Sequence, residues 1–526
     1  MRRLSLFALP NLYWITALSI IVLALVMAIF PVESDDLMLY LGIGRHFFLT
    51  GAIPATDPFI YSIQQYHWHV LHEWLSFVLS FAFFYLGGWN LIIILKCSLV
   101  VLALALPLFA GWHHIARKRF ASILSLSFTL IALWAAAPRF LARTSLISDV
   151  LTALTLFILM REDASGLKHR SRLFGFMPFI FLCWVNLHPG FIVALAFLCL
   201  WFCIKFTTLW LQKKPMLKRY YIVLMLTLLA CLINPQGFGA IWFPIQEMTN
   251  AKLAIFRANT LEWLPSYSPM FLMSSMFLCS VLLSLVTGLL LLVKMWQKNF
   301  SQTLFAFFCY LLLLYLSISA IRFVSLAAFS MAVIASQTAV DLKWLSSRVK
   351  SKIHTAFLFS ILGLTLGIIM QISLHGYQVF WETRRMGWGL NHAAYPIAAA
   401  DIIQDLDIQT PIFNQHGFGA FLIYRFGEQR KIFFHGAVDD GDFYAHDYLG
   451  VNVSPAEFDR IVEKYHIGAF LLNPPQTGEN GGAPLLFQVN LNTPEWALIY
   501  RDEISVMYLR RIKENQAVFD KLSMLA

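Results

Sequence analysis

Long apolar runs constrain this chain more than any other feature of its sequence. A helix that crosses a bilayer needs about 20 apolar residues, and such runs recur along the first 375 positions. Only 13% of the residues are charged, about half the share in an ordinary soluble domain. One globule cannot bury this much apolar surface, so the sequence predicts an α-helical polytopic membrane protein.

The apolar runs predict about eleven transmembrane helices. They lie near 11–30, 89–112, 120–137, 145–160, 173–187, 190–210, 220–233, 270–293, 302–319, 323–340 and 354–374. The run from Glu73 to Gly88 is also apolar but too short to cross, so we expect an interfacial helix there. These assignments define a transmembrane domain over 1–375, whose first outer loop is 31–88.

The distribution of Lys and Arg predicts the orientation of the spans. With the N-terminus in the cytoplasm, the inner connections carry about three times as many Lys and Arg residues as the outer ones. The net charge of +10 is therefore explained by topology, and we do not interpret it as nucleic-acid binding. An odd number of spans then places the C-terminal segment outside, which fits a multi-pass protein of a bacterial inner membrane with a periplasmic C-terminal domain.

Residues 376–526 differ in composition from the rest of the chain, because charged residues, Pro and Gly are common there and no long apolar run occurs. Helical periodicity over 397–406 and 455–465 alternates with strand-like runs. Those runs are 411–414, 431–435, 468–472, 496–500 and 505–510. The pattern predicts an extracytoplasmic α/β or α+β domain.

Polar residues in the predicted topology gather on the outer side. The first outer loop carries Asp35, Asp36, Tyr40, Asp57, His72 and Glu73, and later outer turns carry Arg139, Arg143, His188, Glu262 and Arg322. A carboxylate can act as general base on a hydroxyl, and an arginine can hold a phosphate through paired hydrogen bonds. Taken singly, an Arg or Asp at the end of a span is more often an interfacial anchor or a helix cap than a functional residue, and His72-Glu73 is equally well explained as surface polarity on an interfacial helix. Asp149 is different, because it lies within a predicted span, where an acid is a functional candidate by default.

Several short motifs resemble a bacterial polytopic family with the GT-C glycosyltransferase architecture, distantly like protein mannosyltransferases and lipid A aminoarabinose transferases. In the first outer loop and the early spans they are Asp36-Leu-Met-Leu-Tyr40, Gly44-Arg45, Gly51-Ala-Ile-Pro54, Thr56-Asp57-Pro58-Phe59, Trp68, His72-Glu73-Trp74-Leu75, Arg139 and Arg143. Further along they are Asn186-Leu-His188, Asn234-Pro235, Glu262-Trp263, Arg322, Tyr395-Pro396, Phe413-Asn414, Gly417-Phe-Gly419, Tyr500-Arg-Asp502 and Tyr508-Leu-Arg510.

The resemblance implies a transferase that moves a sugar from a polyprenyl-phosphate donor to a glycan, lipid or protein acceptor outside the cytoplasm. It implies that Asp36, or Asp35, is the catalytic base, and that Asp57 and Glu73 orient the acceptor or bind a divalent metal together with Asp36. It also implies that Arg139, Arg143, Arg322 and His188 stabilise the leaving phosphate. The residues expected to bind substrate are Tyr40, His72, Arg139, Arg143, His188, Glu262 and Arg322. The sequence leaves the metal, the sugar and the acceptor open.

The chain departs from the family pattern in three places. Tyr40 stands where His is expected, Thr144 where Pro is usual, and His435-Gly436-Ala437 where an Asp-Gly-Arg-like turn is typical. The departures at Tyr40 and His435 keep a non-catalytic GT-C scaffold open. Two further alternatives also stay open: an O-antigen ligase or polymerase, and a transporter or flippase of lipid-linked sugars.

Overall fold

The computed structural model describes residues 2–67, 70–112, 119–164, 172–297, 300–342, 351–475, 486 and 490–525. The part of the chain that the structure describes is mostly helical. Its α-helices are Arg2–Ala28, Asp35–Thr50, Trp74–Trp112, Arg119–Ala136, Ser145–Ala164, Arg172–Gly175, Met177–Trp184, Phe191–Leu211, Lys218–Ala230, Gly239–Thr249, Ala254–Asn259, Pro269–Leu272, Ser275–Trp296, Phe300–Ser319, Val324–Asp341, Ser351–His375, Ile397–Asp405, His416–Phe426, Gly441–Phe443, Pro455–Lys464 and Gln516–Leu525.

Seven helices in the described part of the chain are long and apolar enough to cross a membrane. They are Asn11–Ala28, Trp74–Gly111, Phe120–Arg139, Phe191–Leu211, Ser275–Trp296, Ile321–Asp341 and Lys352–His375. The sequence-based expectation of a multi-pass helical membrane protein is confirmed. The remaining predicted spans fall on helices that are shorter or more polar, so the number of eleven stays a prediction.

The predicted division of the apolar segment around Gly88 coincides with a break in its helix. The helix Trp74–Trp112 is interrupted at Gly88, where φ is 59° and ψ is −156°. Side chains strongly disfavour this backbone conformation, and glycine adopts it without steric cost. The residue that separates the predicted interfacial helix from the predicted span is therefore the residue at which the helix changes direction.

Two compact units make up the chain, and we call them the helical unit and the α/β unit. The helical unit contains Met1–Val32, Gly87–Gln246 and Thr260–Gly389, and the α/β unit contains Glu33–Leu86, Glu247–Asn259 and Leu390–Ala526. The first outer loop thus belongs to the same unit as most of the C-terminal segment. A short hairpin at the start of that segment, Tyr377–Val379 with Glu382–Arg384, belongs to the helical unit.

The helical unit is built around one central helix. The segment Ile321–Asp341 is 89% buried, whereas Lys352–His375 is 22% buried and presents Leu and Ile side chains outward. The central helix is rich in Ala and Ser, and small residues let neighbouring helices approach closely in a membrane. Its position explains why the turn at its N-terminus, Ile321–Phe323, can meet turns from other helices.

The α/β unit contains a mixed four-stranded sheet. Its strands, in spatial order, are Ile412–Asn414, Ala469–Leu472, Val506–Arg510 and Trp496–Arg501. The first two are parallel and the other neighbours are antiparallel. Four of the five predicted strands are therefore present, together with both predicted helices.

The fifth predicted strand, 431–435, is a correction. Of this run only Ile432 forms a bridge, and its partner is Ile60 of the first outer loop. The Tyr61 amide donates to the Ile432 carbonyl at 3.1 Å, and the Ser62 hydroxyl donates to the Phe433 carbonyl at 2.6 Å. This apolar run pairs with a distant loop and not with the sheet.

All three segments of the α/β unit pack against one another. Gly42 lies against Ile423 of the helix His416–Phe426, and Phe256 from the segment 247–259 packs on His416 at 5.8 Å between ring centroids. The first outer loop, the segment around 250 and most of the C-terminal segment therefore meet in one compact unit, and the side of the membrane on which they lie stays a prediction.

Replacing Gly419 with alanine is expected to lower the free energy of unfolding by about 2 kcal/mol. A Cβ atom at this position would collide with the Phe434 carbonyl oxygen, which is backbone and cannot easily move. Gly417 provides the matched control, because the nearest atom to its Cβ position is Asp35 Oδ2 at 3.9 Å. G417A should be neutral or stabilising by up to about 1 kcal/mol, through the higher helix propensity of alanine. Thermal unfolding of both variants in detergent checks this, and equal midpoints would contradict it.

Candidate functional site: an arginine cluster and an acidic cluster

Three turns of the helical unit bring arginines to one carboxylate. Arg139 ends the 3₁₀ turn Ala137–Arg139, Arg143 follows it, and Arg322 lies in the turn Ile321–Phe323. Arg139 Nη1 and Arg143 Nη1 donate to Glu262 Oε2 at 3.1 and 2.5 Å, and Arg322 Nη1 lies 3.8 Å from Glu262 Oε1. We call these four residues the arginine cluster.

The arginine cluster is electropositive and largely removed from solvent. Three positive charges face one negative charge, and the four side chains are between 9% and 20% exposed. Burial by itself raises the pKa of Glu262, but the charges of Arg143, Arg322 and Arg139 outweigh burial and hold that pKa well below its usual range. Glu262 is therefore ionised, and these four residues together carry an excess of positive charge, which suits an anion.

Neighbouring side chains fix the position of the arginines. Arg384 Nη1 donates to the carbonyl oxygens of Ala137 and Pro138, at 2.9 and 3.4 Å, and so holds the turn that carries Arg139. The Arg322 guanidinium stacks over Trp263, 4.1 Å from the ring centroid, in a cation–π contact. Glu262 thus orients the arginines through its charge, and Trp263 orients Arg322 through the face of its ring.

His188 lies in a separate hydrogen-bonded group of the same unit. Its Nδ1 atom accepts from the Gly190 amide at 3.0 Å and lies 2.7 Å from the Ser148 hydroxyl. The Ser148 oxygen in turn accepts from Trp184 Nε1. Nearby, Asn234 Nδ2 donates to Asn186 Oδ1 at 3.3 Å, and the Asn186 and Asn234 side-chain amides donate to the carbonyl oxygens of Ile233 and Val185. The structure therefore gives His188 a fixed ring orientation.

Two acidic residues of the first outer loop, Asp35 and Asp36, begin the helix Asp35–Thr50 in the α/β unit. Ser34 caps this helix, and Asp35 and Asp36 occupy its first turn, where negative charge is favoured by the helix dipole. The Ser34 amide donates to the Tyr395 hydroxyl at 2.6 Å. Burial, together with the negative charge of Asp35, raises the pKa of Tyr395 well above its usual value. Asp35 is exposed and Asp36 half-buried.

Tyr40, His72 and Glu73 form a second group in the same unit, which with Asp35 and Asp36 we call the acidic cluster. The Tyr40 hydroxyl donates to Glu73 Oε2 at 2.5 Å, and His72 Nε2 lies 3.8 Å from Glu73 Oε1. All three side chains are buried or half-buried. Tyr40, the departure from the family motif, thus acts as a hydrogen-bond donor to a carboxylate. Trp68 of the family pattern and the neighbouring His69 lie outside the described residues.

Asp57 has a different environment from the other acids. Its Oδ2 atom lies 2.6 Å from His435 Nε2, its Oδ1 atom accepts from the Phe59 amide at 2.8 Å, and both paired side chains are 0% exposed. His435 Nδ1 accepts from the Ala437 amide, so Nε2 carries the hydrogen that Asp57 accepts. The two residues are 378 positions apart, and no local sequence signal connects them. The structure thus explains the departure at His435-Gly436-Ala437, because His435 is the partner of Asp57.

The carboxylates of Asp36, Asp57 and Glu73 do not fit the metal site that the family resemblance left open. Among the residues that the structure describes, no group of three or more His, Cys, Asp or Glu side chains is arranged to hold a metal ion. Both oxygens of Asp57 already accept hydrogen bonds within the protein. Asp36, Asp57 and Glu73 therefore do not form a common ligand set, and we derive no step through a metal.

Solved structures with the same fold define the class of this protein as a polytopic membrane protein of GT-C architecture, which confirms the fold predicted from sequence. The chain is similar to ArnT, the lipid A aminoarabinose transferase, from Cupriavidus metallidurans in the apo state, at 14% identity over 94% of this chain and 96% of that chain, with a TM-score of 0.50. It is also similar to the archaeal oligosaccharyltransferase AglB from Archaeoglobus fulgidus, in complex with an inhibitory peptide and a dolichol-phosphate. That match has 9% identity over 87% of this chain and 69% of that chain, with a TM-score of 0.56. No protein-family model and no curated protein matches the sequence.

Proposed function

We propose that this protein is a membrane glycosyltransferase that moves a sugar from a polyprenyl-phosphate donor to an acceptor on the extracytoplasmic side. The observation that carries the proposal is the convergence of Arg139, Arg143 and Arg322 on the single carboxylate of Glu262. The fold supports it, because the solved neighbours are transferases and one of them holds a dolichol-phosphate.

The arginine cluster is proposed to bind the phosphate of the donor. A phosphate needs several hydrogen-bond donors and compensating charge, and arginine supplies both in a planar fork. Without ligand, Glu262 offsets part of the repulsion among the three guanidinium groups. When the donor binds, the phosphate adds negative charge at the same place, and the arginines stabilise the charge that develops on the leaving group.

Asp36 is proposed as the general base of the transfer, with Asp35 as the alternative. The carboxylate accepts the proton of the acceptor hydroxyl, whose oxygen forms a bond to the anomeric carbon. The bond between that carbon and the phosphate oxygen breaks, and its electron pair leaves with the lipid phosphate. Glu73, held by Tyr40 and His72, is proposed to orient the acceptor. We assign Asp57 a structural role, because His435 and the Phe59 amide occupy its carboxylate.

The proposed location is the bacterial inner membrane, with the N-terminus in the cytoplasm and the α/β unit outside. The excess of Lys and Arg on the predicted inner connections supports this orientation. Lipid-linked sugars present their phosphates at the membrane interface. The arginine cluster lies on turns that are predicted to be outer turns, which supports the proposal that it lies at the depth of such a phosphate.

Binding of a lipid phosphate tests the role of the arginine cluster. We expect undecaprenyl phosphate to raise the thermal unfolding midpoint of the detergent-purified protein, and R143Q to weaken its affinity by about tenfold to a hundredfold, since a charge-assisted hydrogen bond is lost. R425Q is the matched control, because Arg425 is a half-exposed arginine that pairs with Asp401 in the α/β unit. Equal affinities of R143Q and the wild type would overturn the assignment.

Transfer is tested by compositional analysis of surface glycans in a deletion strain. Complementation with the wild-type gene should restore the missing sugar, and D36N should fail to do so while reaching the membrane in equal amount. Full rescue by D36N would remove Asp36 as the base. Unmodified acceptor together with lipid-linked sugar confined to the inner leaflet would instead indicate a flippase, and polymer left unattached would indicate a ligase.

A further inference from the structure

Asp149 is a buried acid that the proposed transfer does not use. It lies in the first turns of the helix Ser145–Ala164 and is 3% exposed. It contacts Ser325 at the start of the central helix and lies within electrostatic reach of Arg139. Both neighbours are themselves buried. Burying a carboxylate within a membrane span costs free energy, so Asp149 is a candidate for a functional role.

In the part of the chain that the structure describes, Arg139 and Asp149 each have one buried polar atom whose hydrogen-bonding capacity is unsatisfied, a donor in Arg139 and an acceptor in Asp149. Among the described residues, neither Arg139 Nε, a donor, nor Asp149 Oδ2, an acceptor, has a hydrogen-bond partner. Leaving buried donors and acceptors unsatisfied costs about 1–3 kcal/mol each. Internal water molecules commonly satisfy such groups when two or more polar partners surround them.

We propose that Asp149 is a positioning residue for Arg139, acting through an internal water that accepts from Arg139 Nε and donates to Asp149 Oδ2. Arg139 is then held from two sides, by Glu262 at Nη1 and by Asp149 at the Nε edge of the guanidinium. This leaves the orientation of the guanidinium fixed before an anion arrives, and preorganised donors lose less free energy on binding. The proposal deepens the function proposed above and rests on it for the identity of the anion.

Affinity for undecaprenyl phosphate separates positioning from general stability. D149L removes the acceptor and should weaken binding by about tenfold, because one arginine loses its orientation. D149N keeps an acceptor oxygen for the water and should restore most of the affinity. T155V is the matched control, since Thr155 lies on the same helix, is buried and has an unpartnered hydroxyl in the described part of the chain. It should bind as the wild type does.

The outcomes distinguish this inference from the proposed function. If the wild type binds and D149L binds equally well, the positioning role is overturned while the transferase proposal stands. If the wild type does not bind the lipid phosphate, the proposed function fails first. A high-resolution cryo-EM map of the wild type provides a second test that needs no ligand. Density for a water between Arg139 Nε and Asp149 Oδ2 supports the inference, and a direct bond from Nε to another protein group overturns it.

Discussion

E262Q is expected to lower the free energy of unfolding by about 3 kcal/mol at neutral pH. The substitution keeps the shape of the side chain but removes the carboxylate on which Arg139, Arg143 and Arg322 converge. These guanidinium groups are mostly buried, so water compensates poorly for their mutual repulsion. Denaturant or thermal unfolding of the purified protein measures the loss.

The matched control for E262Q is D401N. Asp401 also accepts from an arginine, Arg425 Nη2 at 2.7 Å, but both side chains are more than a third exposed, and such pairs contribute at most about 1 kcal/mol. Inorganic phosphate should restore more stability to E262Q than to the wild type, because an anion replaces the missing charge. Equal unfolding free energies for E262Q and the wild type would show that Glu262 does not neutralise the arginines.

The pH dependence of this effect has a definite sign. The pKa of Glu262 is held well below its usual range despite burial, so its stabilising contribution is complete above the ordinary carboxylate range. That contribution is lost as the pH falls through the lowered value. E262Q cannot lose it, and the difference in stability between wild type and E262Q should therefore shrink in acid.

H435L is expected to lower the free energy of unfolding by about 3 kcal/mol as well, through the α/β unit. Leucine is close in size to histidine but cannot donate to Asp57, whose carboxylate is fully buried. Hydrogen exchange should locate the effect, with faster exchange at the Phe59 amide, which donates to Asp57, and around Ile432. H446L is the control, because His446 is exposed and surface substitutions usually change stability by less than about 0.5 kcal/mol.

A double variant measures the interaction between Asp57 and His435 apart from the other contacts of each residue. D57L/H435L removes both polar partners and should recover part of the stability that H435L loses, because no unpaired side chain of this pair remains in the interior. Recovery is partial, since the Phe59 amide loses its acceptor. Additive losses in the double variant would mean that Asp57 and His435 do not depend on each other.

Much of the secondary structure is predictable because local patterns determine it. The helices Ile397–Asp405 and Pro455–Lys464 and four strands follow from periodicity within short windows. The prediction of a sheet strand over 431–435 is wrong, because a buried apolar run has the same pattern whether it joins a sheet or pairs with a remote loop. Only its bridge to Ile60 decides between the two.

The arginine cluster is partly predictable, because local patterns of apolar and charged residues also determine the predicted topology. The predicted topology places four residues on outer turns: Arg139, Arg143, Glu262 and Arg322. Residues on turns at one membrane depth are confined to one layer, which limits the distances between them. Their common carboxylate is not predictable, because hydrophobicity and charge counts do not contain pairing distances. The pairs Tyr40–Glu73 and Asp57–His435 likewise depend on how separate segments pack.

The sequence by itself determined that this chain spans a membrane. It also determined which segments are apolar helices and which turns carry charge. These properties follow from residue composition over windows of about 20 residues, to which the bilayer responds directly. Tertiary structure alone decided that the first outer loop and most of the C-terminal segment form one unit, and which acid meets which base. Contacts such as Tyr40–Glu73 and Asp57–His435 join residues 33 and 378 positions apart, and their free energy depends on packing that no local window of sequence records.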